Sequence, residues 1–582
     1  MIVQIVLVIV TAVQVNSQLC SSVCQCNGDS ATCRNLFSDV INVTHRRFPS
    51  GLRELRVAGS TRMELEADLF LRWNITSLTT LDLSQNNITK IWQRAFYSLL
   101  YLQKLNLSGN SITTLDSQTF YYNKHLFCLS MARNSISNLH PSTFKNNKLR
   151  LLFMSGNKIT SLHPDVFKNS LELEWVNFSN NNVSDVHLST FRNTIRLTHL
   201  DMSGNKITSL HPDVFKNSLE LEWVNFANNN ISDVHLSIFR NTIRLTHLDM
   251  SGNKINSIQP DTFIYNTALR WLDLKGNSIT DIHPLTFRNN NQLEYLNMSN
   301  NKINSIQLDT FIHNVYTFIH LHDFYKTALR LFDLKGNNIT DVHPSTFRNN
   351  SRLTHLDMSG NKINSIQPDT FIHIMQLERL DLKGNNITFV HPSTFQYNIR
   401  LTHIDISGNK INLIHPETFI HNTALQGLAL MGNNITDVHP STFRINSKLT
   451  HLDMSGNKLT TIDAETFSSN SELQWLDLQN NTITDIHPST FRNNSKIEYL
   501  DLSANLLNVI HSNTFQYNVN LKSLSLRNNN ILDTINNGFL SGIKPTYLDL
   551  SGNGIGYLDK SVFRKQGQLE TIILSGNMLQ SL

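Results

Sequence analysis

Between Leu353 and Phe371 the chain reads LTHLDMSGNKINSIQPDTF, with large apolar residues at Leu353, Leu356, Met358, Ile363, Ile366 and Phe371. The same spacing begins again at Leu377 and at Leu401, a period of 24 residues. A fixed period of this length marks an architecture of stacked repeats. Within one repeat Leu356 and Met358 flank Asp357, the alternation of a short strand with one buried face. Ile363, Ile366 and Phe371 turn the chain back behind that strand and fill the same core. No single repeat can bury this face alone, so stability must come from stacking on neighbours. One polar position is as regular as the apolar ones. Asn361 and its equivalents recur 21 times from Asn86 to Asn577, and a degenerate first repeat (Leu52, Leu55, Val57) carries Ser60 in that place.

The skeleton Leu353-x-x-Leu356-x-Met358-x-x-Asn361-x-Ile363-x-x-Ile366 resembles the leucine-rich repeats of extracellular proteins. Over nearly the whole chain it is similar to Toll-like and chaoptin-like ectodomains and to acid-labile-subunit-like proteins. The resemblance implies an α/β repeat solenoid, a horseshoe with a parallel concave β-sheet and a mostly irregular or short-helical convex side. It also implies that each repeated Asn amide bonds backbone groups of adjacent turns, as a ladder. The array is expected over residues 52–582, about 22 repeats.

Compartment signals come before the array. Residues 1–17 read as a secretory signal peptide: Ile2 to Val10 is apolar but for Gln4, and Val15-Asn16-Ser17 offers small residues for cleavage. An uncleaved anchor is the alternative, disfavoured by the shortness of the stretch. No later run is apolar enough to span a bilayer. Cys20, Cys24, Cys26 and Cys33 fall within residues 18–51, and such clustering after a signal reads as a disulfide framework. Spacing alone allows three pairings, and a zinc site is the other reading. The resemblance implies an N-terminal cap in which Cys20 pairs with Cys26 and Cys24 with Cys33. Fourteen Asn-x-Ser/Thr sequons fit export. Asn42, Asn74, Asn87, Asn182, Asn230, Asn338, Asn349, Asn386, Asn434, Asn480 and Asn493 are expected to carry glycans. Asn106, Asn177 and Asn297 fall in mid-strand, where a glycan would block the concave face.

Three irregularities stand out. Lys158–Arg196 and Lys206–Arg244 differ only at Ser179/Ala227, Val183/Ile231 and Thr190/Ile238, a two-repeat unit copied in tandem. Residues 315–326 are an insertion, expected as a loop; Thr317-Phe318-Ile319-His320 echoes Thr310-Phe311-Ile312-His313, so a partial duplication accounts for it as well as a functional loop does. The last repeat feature ends at Asn577 with no second cysteine cap after it, which reads either as an incomplete gene product or as an edge that pairs with another chain.

Charge narrows the functional classes. Charged residues are 16% and the formal net charge is +4, with no basic tract or acidic tail, so nothing points to nucleic acid or a membrane surface. The outward strand positions are more informative. One column reads Trp175, His199, Trp223, His247, Trp271 and Tyr295, then His355, Arg379 and His403, and later His451, Trp475 and Tyr499. Exposed Trp, Tyr and Arg on a rigid sheet are the material of protein-binding hot spots. Rings on adjacent strands can equally stack and stabilise the sheet. Two residues on, the column is acidic, with Asp333, Asp357, Asp381 and Asp405 on consecutive repeats. Such a stack repels itself, and a basic partner or a bound cation would offset it. The column histidines lie about 10 Å apart, too far to share a zinc ion. Cys128 lies in the same column, expected as a free thiol or an intermolecular disulfide. Enzyme motifs are missing, and Gly552-x-Gly554-x-Gly556 is too short for a dinucleotide loop. The expectation is therefore a secreted or cell-surface recognition scaffold that binds a protein ligand on its concave face, with no catalysis and no cofactor. The alternatives are a matrix or adhesion component, self-associating as a homodimer through Cys128 or the C-terminal edge, and the truncated ectodomain of a Toll-like signalling receptor.

Overall fold

The computed structural model describes residues 24–34, 48, 51–60, 63–307, 327–532, 538–564 and 566–580. The leader at 1–17, Cys20, Asn42 and the insertion at 315–326 lie outside these residues. The chain divides into two compact units, Met1–Ser278 and Ile279–Leu582.

The first unit opens with an antiparallel hairpin, Cys24–Asn27 against Ser30–Arg34, in which Cys24 faces Cys33. These two cysteines form a disulfide, and Cys26 is disulfide-bonded as well. Ser30–Arg34 then runs parallel to Glu54–Ala58, which seats the hairpin against the first repeat strand. From there each repeat contributes one short parallel strand in unbroken register. Val176 of Trp175–Asn177 lies between Leu152 and Leu200, and so on to Trp271–Asp273. The second unit repeats the arrangement. Leu356 of His355–Asp357 pairs with Phe332 and with Leu380, and parallel strands continue to Thr571–Ile573. The fold is a parallel-strand solenoid of leucine-rich repeat type. Its return segments are built from turns, and α-helix among the described residues is limited to Leu69–Arg72, with a 3-10 turn at Lys560–Phe563.

Behind the strands of each unit the repeated Phe side chains stack in files. Phe167 stacks on Phe191 at 5.9 Å in the first unit, and Phe371 on Phe395 at 6.2 Å in the second. The expected Asn ladder is present in both units. Asn205 donates to the carbonyls of Phe178 and Met202, each at 2.9 Å, and accepts the Val183 N–H at 2.9 Å. Asn361 does the same with Leu334, Met358 and Ile339. Every polar atom of the side chain is used, which is why an amide can sit there almost fully buried.

A second Asn ladder, not foreseen from the sequence, runs behind the Phe file. Asn422 donates to the carbonyls of Phe395 at 3.2 Å and Asn398 at 3.0 Å, and Asn446 repeats the pattern one turn on. In the first unit Asn123 donates to Phe96 and Leu99. Each of these carbonyls already accepts a backbone N–H of its own turn, and the amide adds a second bond that ties one turn to the next.

Candidate functional site

Strand alternation decides what each repeat shows to solvent. In Trp175–Asn177 the central Val176 is buried, so Trp175 and Asn177 point outward. Adjacent strands are about 4.8 Å apart, close to the separation of stacked rings, so equivalent rings form a ladder. In the first unit Trp175 stacks on His199 at 4.5 Å and 10°, and His199 lies 6.3 Å from Trp223. His247 and Trp271 stack at 6.4 Å. In the second unit the rungs are His451, Trp475 and Tyr499, at 6.4 and 5.3 Å. The rings brace each other, yet none is removed from solvent: Trp175 is 39% exposed, and His247, His403 and His451 are exposed too. The stacking weighed for this column is present, in side chains that stay open to solvent.

The imidazoles are fixed by the Thr that precedes each of them. Thr402 Oγ1 donates its single proton to the Glu378 carbonyl at 2.9 Å and lies 3.0 Å from His403 Nδ1. With that proton committed, the ring nitrogen must be the donor, so Nδ1 carries hydrogen and Nε2 remains an acceptor. The same pair occurs at Thr198/His199, Thr246/His247, Thr354/His355 and Thr450/His451. Burial lowers the proton affinity of His247, His355 and His403, and Arg270 or Arg379 lowers it further. At neutral pH these three rings are therefore uncharged hydrogen-bond acceptors.

The acidic column has a structural duty. Oδ1 of Asp357, Asp381 and Asp477 accepts the backbone N–H two residues on, at 2.8 to 2.9 Å, and closes the turn after the strand. Asn177, Asn225 and Asn297 make the same bond. Charge is therefore not needed for this role, and it is held at a cost. Burial pushes Asp381 up to about 6, with Asp357 and Asp405 adding to the rise and the Lys383 N–H opposing it. Burial pushes Asp477 up to about 7, helped by Asp501 and Asp453. Tyr499, which donates to Asp501, is likewise raised, by burial first and then by the neighbouring carboxylates.

Gly427–Ala429 and, further on, Ser523–Ser525 break both columns at once. Gly427–Ala429 sits between His403–Asp405 and His451–Asp453, with Gly427 in the ring column and Ala429 in the acid column. A Cβ at Gly427 would come within 2.6 Å of His403 Cδ2, so the imidazole leans into space that only glycine leaves. This first break lies within a hollow of about 670 Å³ on the strand face of the second unit, lined among others by His355, Arg379, His403, Gly427, Ala429, Asp453 and Trp475. Sequence reading stepped over this strand, going from His403 to His451. The signal was present as Gly427-Leu428-Ala429 where neighbours read His-x-Asp.

The other expected sites separate clearly. Cys128 is the free cysteine among the described residues; it is half-buried, and burial raises its thiol. Asn74, Asn87, Asn480 and Asn493 are exposed, and Asn182, Asn230, Asn338, Asn349, Asn386 and Asn434 are partly so. Asn297 is 6% exposed and donates its amide to Tyr295. Among the described residues no three His, Cys, Asp or Glu side chains gather as metal ligands. No helix among them is long and apolar enough to cross a membrane.

Known proteins share this arrangement at the level of fold. The chain is similar to the plant peptide hormone receptor RGFR1, solved in complex with RGF2, at 18% identity over 90% of this chain and 93% of that one, TM-score 0.61. It is also similar to TLR13, solved in complex with ssRNA13, at 19% identity over 92% and 93% of the two chains, TM-score 0.48. No curated protein matches the sequence. The family described as leucine rich repeat matches residues 76–136, 128–183, 171–225, 219–279, 267–315, 327–387, 375–435, 423–483 and 471–531. With more than half of its length matched and an asparagine-laddered solenoid behind the match, the chain belongs to the leucine-rich repeat family.

Proposed function

We propose that this protein is a secreted or cell-surface recognition scaffold whose strand face binds a protein or peptide ligand without chemical turnover. Leucine-rich repeat proteins are generally recognition scaffolds, and the similar plant receptor was solved with RGF2 bound. In this reading residues 18–51 cap the core, 52–582 form the binding array, and no cofactor takes part. The ligand meets Trp175, His199, Trp223, His247 and Trp271 on the first unit, and Tyr295, His355, Arg379, His403, His451, Trp475 and Tyr499 on the second.

The observation that carries the reading is the state of the rings. They are stacked, hence rigid, and still open to solvent, so binding them costs little side-chain entropy. The test is selection of a random-peptide display library on the immobilised protein. Selected peptides should bind Trp223→Ala/Trp271→Ala or Trp475→Ala at least tenfold more weakly, with secretion retained. No enrichment, or peptides indifferent to all three substitutions, would refute it.

Self-association as a matrix or adhesion component is the second reading. One observation favours it: Leu171, Ile195, Leu219 and Ile243 recur on consecutive turns, each more than half exposed. Sedimentation of the wild type against Leu171→Ser/Ile195→Ser separates the two readings. Only the second expects an oligomer that the variant dissolves.

A further inference from the structure

We infer that the Gly427–Ala429 strand is a seat for one aromatic side chain of the ligand, and that the seat prefers a ring with a positive charge next to it. The inference rests on the recognition reading above and specifies what its second unit recognises.

The ring column supplies the first argument. His403 and His451 flank Gly427 in strict register, so they stand two strand spacings, about 10 Å, apart. His451 continues into the ladder through Trp475 and Tyr499, while on its other side the rung is a bare glycine. A flat ring placed over Gly427 would lie about 5 Å from His451, within the range of stacked aromatic pairs, with the His403 imidazole swung back over its own strand. The lean of His403 toward Gly427 narrows the opening, so a planar group fits it better than a branched aliphatic one. His403 Nε2 and His451 Nε2 are left as acceptors by their Thr partners, which suits an indole N–H or a phenol O–H.

The acid column supplies the second argument. Asp405 and Asp453 lie on either side of Ala429, which has no side-chain charge of its own. Ser407 and Ser455 N–H groups cap one oxygen of each carboxylate. An ammonium above Ala429 would thus meet a carboxylate from both sides over an apolar floor. The nearest competing cation on the ring column is Arg379, two strands from Gly427. Met431, partly exposed at the next outward position of the same segment, extends the apolar floor. The occupant this arrangement fits is a Trp or Tyr side chain next to Lys, Arg or a free amino terminus.

Three indoles that share a two-carbon tether test the seat on the full-length secreted protein: tryptamine (cationic), tryptophol (neutral) and indole-3-propionate (anionic), followed by ligand-observed NMR titration. Affinity should fall in that order, with tryptamine at least tenfold above indole-3-propionate. Gly427→Tyr fills the rung and should abolish tryptamine binding. The position has no positive φ, and the nearest atoms belong to the His403 imidazole rather than to backbone, so the ring swings aside and the variant should still fold and be secreted. Gly427→Ala, a smaller change, should weaken binding in proportion. Asp405→Asn/Asp453→Asn should bring tryptamine down to the level of tryptophol. Undiminished tryptamine binding by a folded Gly427→Tyr, or an affinity order indifferent to charge, overturns the inference. Selected peptides that still depend on Trp223 and Trp271 would then show that the wider recognition reading survives its loss.

Discussion

Asp477→Asn is the sharpest test of the physics of the strand face. Asp477 is 4% exposed, and its carboxyl is raised from 3.8 to about 7 by burial and by Asp501 and Asp453. A carboxyl that holds its proton more tightly in the folded state stabilises the fold only while protonated, so this contribution is lost as pH rises from 3.8 through about 7. Each tenfold change in proton affinity is worth about 1.36 kcal/mol. The charge at about pH 8 therefore costs at most about 4 kcal/mol, of which about 2 kcal/mol arises between about pH 5.5 and 8. Water borders the face and screens the charge, so the expected loss over that window is nearer 1 kcal/mol. Asn is the right replacement because Asn177, Asn225 and Asn297 already make the turn-closing bond from this position. Equilibrium urea unfolding of the two proteins at both pH values reads the effect, and subtraction leaves this carboxyl together with the neighbours coupled to it, Asp501 and Asp453. The variant should be the more stable protein at pH 8, with the gap about 1 kcal/mol narrower at pH 5.5. A gap that does not change with pH, or a variant less stable at pH 8, would mean that the carboxylate is not strained.

The two ladders should differ in what they contribute. Asn361→Ala strands the Ile339 N–H, while the Leu334 and Met358 carbonyls keep Asn337 and Asn385 as donors, and should cost about 2 kcal/mol in urea unfolding; Asn422→Ala strands nothing, since the Phe395 and Asn398 carbonyls keep backbone N–H partners, and should cost about 1 kcal/mol, and equal or negligible losses would refute the bond assignments. The His-Pro turns rest on a separate bond. His439 Nδ1 accepts the Ser441 N–H at 3.1 Å, a task that Asp463 performs through Oδ1 in the next turn. His439→Asp keeps an acceptor there and should melt with the wild type, whereas His439→Leu removes the acceptor and should melt lower in thermal denaturation.

Much of this molecule could be read from spacing. The alternation around Leu356 and Met358 leaves few other arrangements, and the strands match it, whereas the Asn ladder and the Cys24–Cys33 bridge are those that the family resemblance implied. The second ladder was just as periodic in Asn398, Asn422 and Asn446, but its partners are backbone carbonyls, which have no letter in a sequence. The short helices allowed for on the outer side are turns almost throughout, because each return segment is too short to repay nucleation of a helix. At the candidate site the column of rings was legible and their stacking followed from strand spacing. The tautomer of His403 was not, since it depends on where one Thr402 proton goes. The seat at Gly427 was visible only as an interruption, and a search for recurring residues passes over the one that fails to recur.

The twin blocks Lys158–Arg196 and Lys206–Arg244 carry a consequence for heredity. Asn205 grips Phe178 and Met202, and Asn253 grips Phe226 and Met250, with the same atoms at the same distances to within 0.1 Å. Each copy therefore offers its flanking turns the same docking edges. Misaligned recombination that deletes or adds one copy would join surfaces that already match, so alleles of this gene can differ in span by 48 residues and still yield a folded product.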